Sequence, residues 1–294
     1  MHVRLTDTAL FFDVEGAKFV PAGATLRERP TLILIHGAPG FADHSAYKPA
    51  FSQLADAAQL LYLDLRGAGR SDRSTPDRWT LEQWADDLYE FCATLGISHP
   101  VVLGNSAGGL VVMTYALRHP EQPAKLILSN TQARLDVERV LAAFERRGGT
   151  AARDAASAFL RGQPDQQTFL QHARTYARVC GPLYSITGSD PNAVRRIVFN
   201  GDLAWAFHRP PDGTWHTANL LPLLHQIRCP TLVLAGEEDP ICPIADAEDL
   251  VAALPPESVR FVRFPGCSHA LPTDAPQAYF AAIRAFLTPE TLSA

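Results

Sequence analysis

The stretch that most constrains this 294-residue chain is Val101-Val102-Leu103-Gly104-Asn105-Ser106-Ala107-Gly108-Gly109, an apolar run that feeds a G-x-S-x-G pentad. The run reads as a buried strand and residues 109–120 as a helix, so the serine falls at a sharp strand-to-helix turn. Gly104 and Gly108 flank it because a Cβ two residues before or after the serine would collide across such a turn. The first turn of the helix directs unpaired N–H groups at Ser106, where developing negative charge is stabilised. A glycine-rich turn whose serine only caps a helix has the same local text, so the rest of the chain decides between the two.

Apolar β-forming runs recur at 31–35, 60–63, 125–129, 230–236 and 259–264, the pattern of strands covered on both faces of a parallel sheet. Residues 8–14 and 18–20, separated by Glu15-Gly16, predict an opening hairpin. The run 31–35 ends in His36-Gly37-Ala38-Pro39-Gly40, a loop suited to offering the Ala38 N–H to an oxyanion, with His36 itself structural. A plain strand-to-helix connection would have the same Gly and Pro content. The run 60–63 leads into Asp64-Leu65-Arg66-Gly67-Ala68-Gly69-Arg70-Ser71, where Asp64, Arg66 and Ser71 read as internal loop staples. Thr80 as N-cap, Gln83 as its capping-box partner and Gly96 as the stop bound the next helix. From 131 to 228 the text is helical (136–147, 150–161, 164–180 and 192–199) with no core strand, which predicts an insertion laid over the site.

The last unit supplies the partners a serine nucleophile needs. Asp239 stands just beyond the run 230–236, and His269 follows 259–264 and precedes a final amphipathic helix, 275–287. Imidazole takes and returns a proton near neutral pH, and a carboxylate holds the ring in the required tautomer. Asp239 is preferred over Glu237, Glu238 and Asp246 because it occupies the turn after the seventh strand. The end of the sixth strand carries Ser129-Asn130-Thr131 and no carboxylate before Asp136.

Composition narrows the partners. The net charge of −5 comes from interspersed acids and bases, so nucleic acid is not expected as a partner. No apolar run approaches a membrane span and the first residues lack the core of a signal peptide, which predicts a cytoplasmic protein without a membrane partner. Cys92, Cys180, Cys229, Cys242 and Cys267 are scattered without metal-ligand spacing and read as reduced, packed thiols. Neither a metal nor an organic cofactor is expected, the partner is a small-molecule substrate, and the oligomeric state is not readable.

Taken together, His36-Gly-Ala-Pro-Gly40, Asp64-Leu-Arg-Gly-Ala-Gly-Arg-Ser71, Gly104-Asn-Ser-Ala-Gly-Gly109, Gly236-Glu-Glu-Asp239 and Gly266-Cys-Ser-His269 resemble the α/β-hydrolase superfamily, and the first two resemble its proline iminopeptidase-like branch. The resemblance implies an α/β fold with a mostly parallel eight-stranded sheet, helices on both faces and a helical cap, 131–228, inserted after the sixth strand into a core of 1–130 and 229–294. It implies Ser106, Asp239 and His269 as a triad, with the N–H groups of Ala38 and Ala107 as oxyanion donors. The chain departs from that branch. Ala38 stands where a glycine is usual, Ala107 follows the serine, Pro240 follows the acid, and 200–207 has no glutamate to hold a substrate amine. Asp202 is the substitute available there, and Trp205 and Phe207, in a stretch read as irregular, are candidate pocket residues. The expectation is a serine hydrolase of small, fairly apolar esters or lactones. The alternatives are a proline iminopeptidase, a carbon–carbon bond hydrolase, and a non-hydrolytic lyase or receptor on the same fold.

Overall fold

Leucine- and isoleucine-rich runs buried at every position must be covered on both faces, and they form the centre of a sheet. In a computed structural model that describes residues 1–188 and 193–288, the strands of that sheet are β1 (His2–Arg4), β2 (Ala9–Glu15), β3 (Thr31–Ile35), β4 (Gln59–Leu63), β5 (Val101–Asn105), β6 (Lys125–Ser129), β7 (Thr231–Gly236) and β8 (Val259–Phe264). Their spatial order is β1-β2-β4-β3-β5-β6-β7-β8. β2 runs antiparallel to β1 and β4, and the remaining pairs are parallel. Ile35 lies opposite Gly104, Gly104 opposite Leu128, and Leu128 opposite Val233. The loops that follow these strands therefore open along one edge, where a parallel sheet gathers its functional groups.

The expected opening hairpin is not formed. β2 pairs with β1 and with β4, while Phe19–Ala22 pairs with Thr25–Glu28 as a separate two-stranded ribbon. Leu10 and Phe12 of β2 are buried whereas Phe19 is exposed, so the apolar strand joins the core sheet and leaves its sequence neighbour behind.

Two layers cover the sheet. Helices α1 (Leu81–Thr94) and α2 (Gly108–Arg118) bury Trp84, Leu88, Phe91, Leu110, Val111 and Tyr115 in one cluster. Thr80 caps α1 by accepting the Gln83 N–H at 3.1 Å, but the Gln83 side chain turns to Asp87 (2.9 Å), so the cap is not reciprocal. The loop after β4 is stapled as expected. Arg66, buried, donates to both oxygens of Asp87 (2.6 and 2.8 Å) and to Asp7. The Asp64 carboxylate accepts the N–H groups of His44 and Arg70, and Ser71 Oγ donates to the Asp64 carbonyl. A buried charge with every partner in place avoids the penalty of an isolated one.

Between β6 and β7 the described residues form helices and add no strand to the sheet. Helix α3 (Val137–Leu160) is interrupted at Gly149 (φ 70°, ψ −169°), which divides it into the two helices read from the sequence. Helix α4 (Gln166–Val179) follows. Of the expected helix at 192–199, Ala193–Arg196 is helical and Asn192 lies outside the described residues. The stretch read as irregular is instead helix α5 (Gly201–His208), capped by the Asn200 side chain accepting the Asp202 and Leu203 N–H groups. Its apolar residues show no single stripe because they contact several partners at once. The chain returns through helix α6 (Ile244–Ala253), and helix α7 (Pro276–Leu287) covers the opposite face with Tyr279, Phe280 and Ile283 against Phe51 and Leu54. Among the described residues no helix is long and apolar enough to cross a membrane.

Backbone packs closely on backbone at the start of α2. A Cβ on Gly104 would lie 2.5 Å from the Gly108 carbonyl oxygen, and one on Gly108 would lie 2.6 Å from the carbonyl oxygens of Ile35 and His36. Gly104→Ala is therefore expected to lower the urea midpoint by the equivalent of about 1–3 kcal/mol. Gly162→Ala, whose Cβ would meet nothing within 4 Å, is expected to stay within about 0.5 kcal/mol; equal shifts in urea titrations of the two variants would show that the close approach is not limiting.

Candidate active site

Ser106 occupies the left-handed region at φ 53°, a conformation that persists only when its surroundings over-determine it. Its N–H donates to the Ser129 carbonyl at 3.0 Å, and its own carbonyl accepts Thr131 Oγ1 at 2.6 Å. The loop after β3 is pressed against it: a Cβ on Gly37 would stand 2.7 Å from Ser106 Cβ. Tyr47 ties the two together, accepting the Gly37 N–H (3.1 Å) and donating to Asn105 Oδ1 (2.9 Å). Burial pushes the Tyr47 phenol up to about 12, so it stays a neutral donor. Ala38 also has a positive φ of 42°. Among the described residues the N–H groups of Ala38 and Ala107 donate no hydrogen bond, and both residues are half-buried beside the serine.

The two candidate partners meet at the ends of β7 and β8. His269 Nδ1 lies 2.7 Å from Asp239 Oδ2, and Asp239 Oδ1 accepts the N–H groups of Ile241 and Cys242 at 2.9 Å each. A hydrogen bond from Nδ1–H to the carboxylate is the arrangement that leaves Nε2 of a neutral ring as the acceptor. Ser106 Oγ makes no hydrogen bond among the described residues. Among the described residues, two clusters bring possible metal ligands within 4.8 Å, Asp239 with Cys242 and His269, and Asp43 with His44 and Asp64. In both, the carboxylates are already engaged by protein donors. Burial also holds the Cys242 thiol well above its usual range.

Two further residues fix the histidine loop. Asn130, at φ 43°, donates its side-chain amide to the carbonyls of Ser268 (3.2 Å) and His269 (2.5 Å). It accepts the Gly236 N–H on Oδ1 (2.9 Å), and its own N–H reaches the Leu234 carbonyl. One side chain thus joins the ends of β6, β7 and β8. Asp274 accepts the Ser268 N–H on one oxygen, and Ser185 Oγ and the Ile186 N–H on the other. Its hydrogen bonds outweigh burial and hold its carboxyl below the usual range. The sequence reading singled out neither residue; the signals available were local, an Asn directly after a strand, which tolerates positive φ, and an acid in the first turns beyond His269.

The residues read as pocket candidates have these surroundings. Asp202 is exposed and accepts Gln166 Nε2 at 2.8 Å. Phe207 is buried against Trp84, with ring centroids 5.8 Å apart, on the side of the core helices. Trp205 is half-buried between Phe169 (5.3 Å) and Arg209 (6.0 Å). The five cysteines are free thiols, four of them buried.

Residues 30–276 match the family described as alpha/beta hydrolase fold. The chain is 27% identical over 282 residues to "Putative carbamate hydrolase RutD" of Caulobacter sp. strain K31, covering 94% of this chain and 97% of the relative. Among solved structures, proline iminopeptidase of Mycobacterium smegmatis is similar with a TM-score of 0.75 and 23% identity, over 98% of this chain and 97% of that one. A thermophilic esterase of Thermogutta terrifontis is similar at 27% identity and a TM-score of 0.63, over 98% of both chains.

Removing the Asn130 side chain while keeping its backbone conformation, as in Asn130→Gly, leaves two carbonyls and one N–H unpaired. The expected loss is about 1–3 kcal/mol of stability, read by thermal denaturation. Asn130→Asp, which cannot donate to those carbonyls, is expected to be worse despite its similar shape. An aspartate variant as stable as the wild type would refute the donor role.

Proposed function

The chain belongs to the alpha/beta hydrolase fold family, and from that premise we propose that it is a serine hydrolase of small, fairly apolar carboxylic esters or lactones. Ser106 is the nucleophile, His269 the general base and then acid, and Asp239 the carboxylate that orients the imidazole. The observation that carries the reading is the pair of unspent N–H groups, Ala38 and Ala107, beside a serine held at φ 53°. Donors fixed where charge develops are the largest single contribution in sites of this kind.

In the proposed reaction Ser106 Oγ attacks the carbonyl carbon as its proton passes to His269 Nε2. The oxyanion lies between the two N–H groups. Collapse expels the alkoxide, which takes the proton from His269, and leaves an acyl-serine. Water, deprotonated by His269, then attacks the acyl carbon, and Ser106 recovers its proton as the acid departs. Residues 131–228 act as the cap that shields these steps from solvent.

A carbamate, the substrate class in the name of the Caulobacter relative, has a carbonyl open to the same attack and belongs in the same panel. The iminopeptidase reading ranks lower. It needs a carboxylate to hold the substrate's ammonium group, since a buried unpaired charge is costly, and Asp202 is exposed and engaged by Gln166.

The test compares a short-chain p-nitrophenyl ester, an acyl lactone, a carbamate ester and a prolyl anilide. Wild type is expected to turn over the ester or lactone and leave the anilide untouched. Ser106→Ala is expected to lose roughly 10^4-fold or more in kcat, and a fluorophosphonate is expected to label Ser106 in the wild type alone. Efficient anilide cleavage, or ester turnover that survives Ser106→Ala, would sink the proposal.

A further inference from the structure

A line of aromatic rings leads from the loop that carries Ala38 to His269. Phe41 lies 6.4 Å from Phe159, Phe159 stacks on Tyr176 at 4.6 Å, Tyr176 meets Tyr184 edge-on at 6.3 Å, and the Tyr184 ring is 4.9 Å from the His269 ring. Before His269, the side-chain polar atoms in this line are the two phenol oxygens. They stand 2.5 Å apart.

Hydrogen accounting makes this pair informative. Two phenols carry two hydrogens, and one is spent between them. Among the described residues neither oxygen makes another hydrogen bond. Burial holds both phenols above the usual tyrosine range, so both hydrogens are present at neutral pH. Among the described residues one O–H is therefore left without an acceptor, and a donor shielded from water and unmet is costly. Tyr176 is the deeper of the two, buried between Phe159 and Phe144, while Tyr184 is half-buried; of the two directions open to their hydrogen bond, donation from Tyr176 to Tyr184 leaves the spare O–H on the more accessible ring. Tyr184 is clamped beside the base, its carbonyl accepting the Ala270 N–H at 2.8 Å while the Leu183 carbonyl accepts Ser268 Oγ.

We infer that Tyr184, polarised by the hydrogen bond it accepts from Tyr176, is a specificity-determining donor to an oxygen in the leaving group of the substrate. The inference rests on the reading of Ser106, His269 and Asp239 as the triad. His269 returns its proton to the leaving oxygen, so a donor packed on that ring meets the alcohol half of the ester. The substrate class is then an ester whose alcohol carries a second acceptor oxygen, an ether, hydroxyl or carbonyl, a few atoms from the scissile bond. An acceptor chain of hydrogen bonds strengthens its terminal donor, which gives Tyr176 a supporting part.

The experiment uses two esters of nearly equal shape, 2-methoxyethyl butyrate and n-butyl butyrate, with their alkaline hydrolysis ratio as the reference. Wild type is expected to favour the methoxyethyl ester in kcat/KM by about 3- to 10-fold beyond that reference. Tyr184→Phe is expected to collapse the ratio to the reference whatever happens to the absolute rates, and Tyr176→Phe to reduce it part of the way. A wild type without the preference, or a Tyr184→Phe enzyme that keeps it, overturns the inference; so does a variant that slows both esters equally, as a purely structural tyrosine would. Fluorophosphonate labelling of wild-type Ser106 separates the two readings. Labelling without the preference overturns this inference alone, whereas no labelling and no turnover of either ester overturns the triad as well.

Discussion

The contact on which the rest depends is the approach of the first turn of α2 to β3 and β5. Backbone meets backbone there with no room for a Cβ at Gly104 or Gly108. The same closeness holds Ser106 at a positive φ and sets the loop carrying Ala38 against it. Packed interiors tolerate little displacement, so the spacing between serine and free N–H groups is a property of the sheet rather than of mobile loops. Such preorganisation is what makes fixed dipoles effective at developing charge.

The histidine is positioned differently. Its loop follows an edge strand, β8, whose residues are only partly buried. What the sheet cannot supply comes from side chains: Asn130 from β6, and Asp274, which holds Ser268 and the 185–186 backbone at once. Serine and histidine are thus fixed by unlike means, one by steric closeness and the other by hydrogen bonds whose donors and acceptors are individually replaceable.

That difference also explains which features were legible in the sequence. The elbow, the Asp239 turn and the His269 turn are local strings that directly follow strands of the parallel sheet and lie along one edge of it. Asn130 was noticed only for lacking a carboxylate, because its partners lie more than a hundred residues away and no local pattern encodes them. The opening hairpin failed for the same reason, since β2 finds its apolar partner in β4. Trp205 and Phe207 were read in an irregular stretch that is in fact α5, whose apolar residues face several neighbours, Trp84 among them, and composition does not reveal which one each side chain meets. The halves of α3, by contrast, were separable because Gly149 is a glycine.

The hydrogen bonds of Asp274 and Ser268 to residues 183–186 make the segment after α4 and the segment after β8 a single structural unit. A chimaera that exchanged residues 131–228 for those of another family member while keeping the native C-terminal portion would break that unit at its seam. The two stretches would have to be transplanted as one cassette to keep these hydrogen bonds.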